Sequence, residues 1–120
     1  MKIIKASFFL FLIVVTYYSL KSPDSGDLPT NDKVGHFLAY FVLAGNLFLI
    51  CDSLYQRQKA LLFLVLYGLL MEFIQSYIPG RDASLLDIIA NSSGTLLGLG
   101  FIYVFQGKIL KLLRALKLIS

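Results

Sequence analysis

The residues that could do chemistry in this sequence recur at helical spacing. Asp32, His36 and Tyr40 stand at i, i+4 and i+8, with Lys33 beside them, so one helical face carries a carboxylate, an imidazole and a phenol. Glu72, Gln75 and Ser76 stand at i, i+3 and i+4, again on one face. Asp87, Asn91, Gly94 and Gly98 run i, i+4, i+7 and i+11, a polar opening that continues into a groove of small residues. Arg81 and Asp82 occupy a turn between the second and third groups. A carboxylate beside an imidazole can exchange protons or hold an ion. The planar fork of arginine matches phosphate or carboxylate. Gly94-Thr95-Leu96-Leu97-Gly98 is a GxxxG segment, which admits the backbone of a second helix.

Each of these has a plainer reading. His36 serves as a member of a polar network, as a proton carrier, or as a metal ligand with Asp32 or Glu72, and the first role is the commonest for a lone histidine among carboxylates. No metal or cofactor is expected. Arg81 either binds a ligand or pairs with Asp82, Asp87 or Glu72. Glu72 lies six residues before Ile78. At about 1.5 Å per residue it is expected about 9 Å beneath the end of an apolar helix, and a carboxylate there must be paired or protonated. Arg81, Lys33 and His36 are the partners available. An ion-pair staple between helices and a ligand site fit this pattern equally well, since buried ion pairs argue for neither.

The elements that must position these groups are apolar stretches. Of the 120 residues, 58% are hydrophobic and only 15% charged, well short of the quarter usual in soluble domains. Four long apolar runs stand out, which predicts an all-α, single-domain bundle with spanning helices near 4–20, 34–51, 59–78 and 85–106. Residues 51–59 read as a polar link, and Thr30, Asn31 and Ser84 as helix caps. The first run also has the basic start and apolar middle of a signal peptide, but no small-x-small cleavage site follows it, and Tyr17-Tyr18 suits an interfacial belt. From 107 to 120 an amphipathic tail is expected to lie in the membrane interface, with Lys111, Arg114 and Lys117 opposite Ile109, Leu112, Leu113 and Leu116. The single cysteine, Cys51, excludes an intramolecular disulfide.

Orientation follows from lysine and arginine. With the N-terminus inside, the inner segments hold Lys2, Lys5, Arg57, Lys59, Lys108, Lys111, Arg114 and Lys117, and the outer ones only Lys21, Lys33 and Arg81. The net charge of +4 is then topology and contact with anionic lipid, and nucleic acid is not an expected partner. Both termini are expected in the cytoplasm, and the three polar groups share the outer leaflet.

The string Asp32-Lys33-x-x-His36-x-x-x-Tyr40 resembles the first signature of the VanZ-like family. So does the series Glu72-x-x-Gln75, Pro79-x-Arg81 and Asp87-x-x-x-Asn91-x-x-Gly94. The resemblance spans residues 32 to 98 and implies a small multi-pass protein of the bacterial cytoplasmic membrane. The family is named for a factor linked to resistance to a glycopeptide antibiotic, which does not make this chain a resistance protein. Three functions are compatible with it. The first is an envelope protein whose outward pocket binds a lipid head group, a phosphate or a cell-wall precursor, with Arg81 and Lys33 on the anion and Glu72, His36, Asp87 and Asn91 ordering the pocket. The second is an intramembrane enzyme on a lipid-linked substrate, using His36, Glu72, Asp87 and Arg81. The third is a small transporter, ranked last because no charged residue lies in the inner halves of the helices. Oligomerisation is left open.

The topology is directly testable. A reporter fused after Ser120 is expected to be active only in the cytoplasm, and an external signal there overturns the four-helix arrangement.

Overall fold

The computed structural model describes residues 2–20, 29–79 and 85–120, the side chains of 29–32 excepted. Its order is α1 (Lys2–Leu20), α2 (Pro29–Ile50), α3 (Leu54–Gln75) and α4 (Leu85–Ala115). All four helices are long and apolar enough to cross a membrane, and there is no strand among the described residues. Many large apolar side chains face outward, among them Phe9, Leu10 and Ile13 on α1, Leu66 and Phe73 on α3, and Leu96 and Leu97 on α4. Such a surface is unstable in water and suits hydrocarbon, where helices satisfy their own backbone hydrogen bonds.

The helix ends follow local chemistry, and several differ from the sequence expectation. α2 begins at Pro29. Proline is favoured as a first helical residue because its missing N–H would be unpaired there anyway. Thr30 and Asn31 are therefore inside the first turn and not ahead of it. The expected link 51–59 shrinks, because α3 already starts at Leu54. The reason is a capping box: Ser53 Oγ accepts from the Gln56 N–H at 3.2 Å, and Gln56 Oε1 accepts from the Asp52 N–H at 2.6 Å. α3 ends at Gln75 instead of Ile78. Tighter bonds from Tyr77 N–H to the Ile74 carbonyl and from Ile78 N–H to the Gln75 carbonyl, both 3.0 Å, turn the chain ahead of Pro79. Ser84 lies outside the described residues.

The tail also differs. α4 runs unbroken through residue 107 to Ala115, and no separate interfacial helix begins. Its 31 residues make about 46 Å of helix, more than a hydrocarbon core of about 30 Å. Ile109, Leu110, Leu113 and Ile119 pack on the core, while Leu112 and Leu116 are exposed with the cations. The helix stops in a Schellman motif: Leu118 N–H donates to the Leu113 carbonyl at 2.9 Å and Lys117 N–H to the Arg114 carbonyl at 3.0 Å. Lys117 takes the left-handed conformation at φ 59°, which glycine usually fills.

The most extensive interface joins α2 to α4, which run parallel. Gly94 lies on Phe37 and Phe41, Gly98 on Phe41, Ala44 and Gly45, and Gly45 in turn near Ile102. Contact is backbone to backbone. A Cβ at Gly94 would overlap the Phe37 carbonyl oxygen, and one at Gly98 would stand 2.7 Å from the Phe41 carbonyl oxygen. The GxxxG groove thus faces a helix, as its alignment with Asp87 and Asn91 implied. α3 carries the chain back between these two parallel helices.

α1 packs on α2 and α3 through Ile4, Phe8 and Val15 and through polar clips. Ser7 Oγ donates to Asn46 Oδ1 at 3.1 Å, and the Thr16 and Tyr67 hydroxyls meet at 2.5 Å.

Glycine substitutions separate these roles. Gly98→Ala is expected to lower the yield and melting temperature of the folded protein, because its Cβ meets fixed backbone. Gly100→Ala, with open space around it, is expected to leave both unchanged or raise stability by up to about 1 kcal/mol. Ser53→Ala is expected to cost about 1 kcal/mol through loss of the cap. Thermal unfolding in one detergent measures all three, and a Gly98→Ala protein as stable as Gly100→Ala would mean that the interface yields.

Candidate functional site

The parallel seating of α4 on α2 brings the first turns of both helices to one end of the bundle, where α3 ends. There the polar groups gather. His36 is the centre. Its Nδ1 lies 2.9 Å from Asn91 Oδ1 and 3.8 Å from Glu72 Oε1. Two oxygen acceptors face the same ring nitrogen, so Nδ1 carries a proton, in either the neutral or the charged imidazole. Beside this group, Lys33 Nζ stands 3.8 Å from Asp87 Oδ1. The lysine is half exposed and the two carboxylates are buried: 47% of the Lys33 side chain is accessible, against 4% for Asp87 and 5% for Glu72.

Backbone position explains each of these environments. Asp87 is in the first turn of α4, where unpaired N–H groups favour an anion. Glu72 is in the last turn of α3, where the backbone favours a cation, and the His36 imidazole stands beside it. With α3 ending at Gln75, Glu72 is three residues from the helix end, about 4.5 Å. It is therefore shallower than the 9 Å expected from a helix running to Ile78.

Tyr40, one turn below His36, is buried at 2% exposure. A Cβ at Gly68 would stand 3.5 Å from the Tyr40 hydroxyl and 3.5 Å from Asn91 Nδ2, so the glycine brings these two groups together. Tyr40 thus belongs to the cluster through Asn91. Thr95, fully enclosed, donates its hydroxyl to the Asn91 carbonyl at 2.9 Å and holds that turn of α4.

The structure separates one expected member from the rest. Gln75 is buried, but Nε2 donates at 2.7 Å to the Ser19 carbonyl and so ties α3 to the end of α1. Ser76 shares its register but is exposed, with Oγ donating to the Phe73 carbonyl at 2.6 Å. Arg81 and Asp82, and the side chain of Asp32, lie outside the described residues. Among the described residues no third histidine, cysteine or carboxylate joins His36 and Glu72 in a group that could hold a metal ion.

Sequence reasoning missed Gly68 and Thr95. Each carried a signal. Gly68 is one turn before Glu72, and Thr95 one turn after Asn91, on the faces already singled out.

The sequence pattern of the VanZ/LLP1 family matches residues 3–106. An uncharacterized protein of the fission yeast Schizosaccharomyces pombe, C11E3.10, is 35% identical over 94 residues, which are 76% of this chain and 57% of that protein. This chain therefore spans little more than half the length of that relative. No solved structure matches. With a eukaryotic relative, the resemblance does not by itself assign the chain to a bacterium. Four apolar helices, a buried polar cluster built on signatures at 32–40, 72–81 and 87–94, and a match over most of the sequence lead to one conclusion: the chain is a multi-pass membrane protein of the VanZ/LLP1 family.

Proposed function

We propose that the protein binds the head group of an amphipathic, membrane-resident ligand at the polar end of its bundle. That end faces outward and both termini lie in the cytoplasm. In this reading Lys33 and Arg81 contact an anionic head group. His36, Glu72, Asp87 and Asn91 hold the pocket in shape. The ligand is an anionic lipid or a lipid-linked precursor of the cell envelope.

The observation that carries the reading is the contrast between the buried carboxylates, Glu72 and Asp87, and the half-exposed Lys33 beside them. Ionisable groups inside a membrane bundle are costly and generally mark ligand or ion sites. Here Glu72 stands beside His36 and Asp87 beside Lys33, and that lysine reaches the rim where a ligand would arrive. The eight inner cations expected from the sequence also collect at the opposite end of the bundle, which supports the orientation.

The test uses full-length protein in phosphatidylcholine nanodiscs, with and without phosphatidylglycerol. Preferential retention of phosphatidylglycerol is expected, and equal retention of both lipids overturns the reading. Lys33→Gln and Arg81→Lys are each expected to weaken retention several-fold. Lys33→Gln keeps a hydrogen-bond donor beside the buried Asp87, and its melting temperature, measured in parallel, is expected to show that it remains folded. Asn91→Leu is expected to lower both binding and stability, the latter by about 1 kcal/mol, because it removes the amide oxygen bonded to the part-buried His36 ring. Turnover of a lipid-linked substrate that disappears in His36→Ala would replace binding by catalysis.

A further inference from the structure

One level below the cluster, α3 and α4 part. Leu64, Val65, Gly68 and Leu69 of α3 and Ile88, Asn91, Ser92 and Thr95 of α4 line a crevice between them. It spans about 180 Å³, open space included, and is too narrow for a water molecule as it stands. Its walls are mostly apolar, with Asn91 among the few polar residues that line it. Asn91 Nδ2 has no hydrogen-bond partner among the described residues, and neither has the Tyr40 hydroxyl, which lies behind Gly68. Both residues are more than nine-tenths buried. Gly68 lines the crevice next to both groups. A Cβ at this position would come within 3.5 Å of both groups, at ordinary contact distance.

Two buried polar groups without a partner near one glycine are an unfavourable arrangement. A buried polar group left unpaired costs about 1–3 kcal/mol. What they lack is an acceptor oxygen, and the chemistry of the crevice narrows its kind. Among the described residues no cation lines the crevice, and Lys33 lies by Asp87 at the helix start. A phosphate would bring an unbalanced charge into this apolar site, whereas a neutral carbonyl would not. Gly68 is seven residues before Gln75, so it lies about 10 Å below the end of α3. The pieces are ordered by depth: a cation at the rim, neutral donors beneath it, and a crevice with apolar walls alongside.

We propose that the crevice at Gly68 takes an acyl-ester lipid from the side, with its ester carbonyl on Asn91 Nδ2 and the Tyr40 hydroxyl, its phosphate at the Lys33 rim and its acyl chain between α3 and α4. This rests on the head-group reading above and names its ligand class: a glycerophospholipid, as opposed to a prenyl phosphate, which has no ester carbonyl. Entry requires α3 to move outward from α4. That interface is far less extensive than the one between α2 and α4, and it is the one the crevice follows.

The test is native mass spectrometry of the full-length protein released from nanodiscs. The nanodiscs carry ester-linked phosphatidylglycerol, its ether-linked analogue, or a prenyl phosphate. The ester lipid is expected to be retained about tenfold more than the ether analogue, the difference of one good hydrogen bond. Tyr40→Phe removes only the orphaned hydroxyl and Gly68→Ala only fills the crevice. Both are expected to melt at or above the wild-type temperature yet to retain several-fold less ester lipid. A merely structural Gly68 or Tyr40 predicts equal or higher melting with lipid retention unchanged, and that result overturns the proposal. Equal retention of ester and ether lipids, each lost in Lys33→Gln, overturns it while the head-group reading stands. Retention of neither lipid removes both.

Discussion

The close approach of α4 to α2 is the contact on which the rest of this protein depends. Lipid tails are as apolar as leucine, so helices in a bilayer gain little from hiding apolar surface from one another. They associate through packing, and packing is closest where side chains are smallest. Gly94 and Gly98 allow the backbone of α4 to rest on the carbonyls of Phe37 and Phe41. Two consequences follow. The helices are locked in parallel, so their N-terminal turns are neighbours. Asn91, one turn before Gly94, is also set at hydrogen-bonding distance from His36. Without the glycines the two would be separated by the width of side chains.

Electrostatics then decides which groups tolerate this end of the bundle. The starts of α2 and α4 present backbone N–H groups, and the end of α3 presents carbonyls. Asp87 is doubly favoured, by its own helix start and by Lys33. Glu72 has the unfavourable helix end and relies on His36. Asn91 completes the arrangement by accepting from the imidazole without adding a charge.

α1 and the tail of α4 are held differently. α1 presents a broad apolar face outward and is fixed by a few polar contacts: Ser7 to Asn46, Thr16 to Tyr67, and Gln75 to the Ser19 carbonyl. A hydrogen bond between membrane helices keeps its value because its alternative is an unpaired group in hydrocarbon. At the far end, α4 continues past the thickness of the bilayer and is bound there by Arg57 to Gln106 at 2.5 Å and by Ile109, Leu110 and Leu113 on the core. The cations Lys108, Lys111 and Arg114 are exposed along this extension, in position to meet anionic head groups.

Much of this was legible in the sequence because the bilayer imposes simple rules. Four apolar runs of spanning length had to be helices, since no other open structure pairs its backbone in lipid. The spacing of Asp87, Asn91, Gly94 and Gly98 identified a single face of α4, and that face meets α2. The helical spacing of His36 and Tyr40 and of Asp87 and Asn91 was likewise readable in the sequence. Helix ends were read less well, although the box from Ser53 to Gln56 and the turn before Pro79 were both written in local residues. What only the tertiary structure decided was pairing. Glu72, Gln75 and Ser76 share a helical register, yet they face a histidine, the carbonyl of another helix and the outside, respectively. Lys33 came to Asp87 and His36 to Glu72. Helical spacing gives the direction of a side chain from its own axis. Which neighbour lies in that direction depends on how closely the helices approach and how far each is turned, and those are set by packing across the whole bundle.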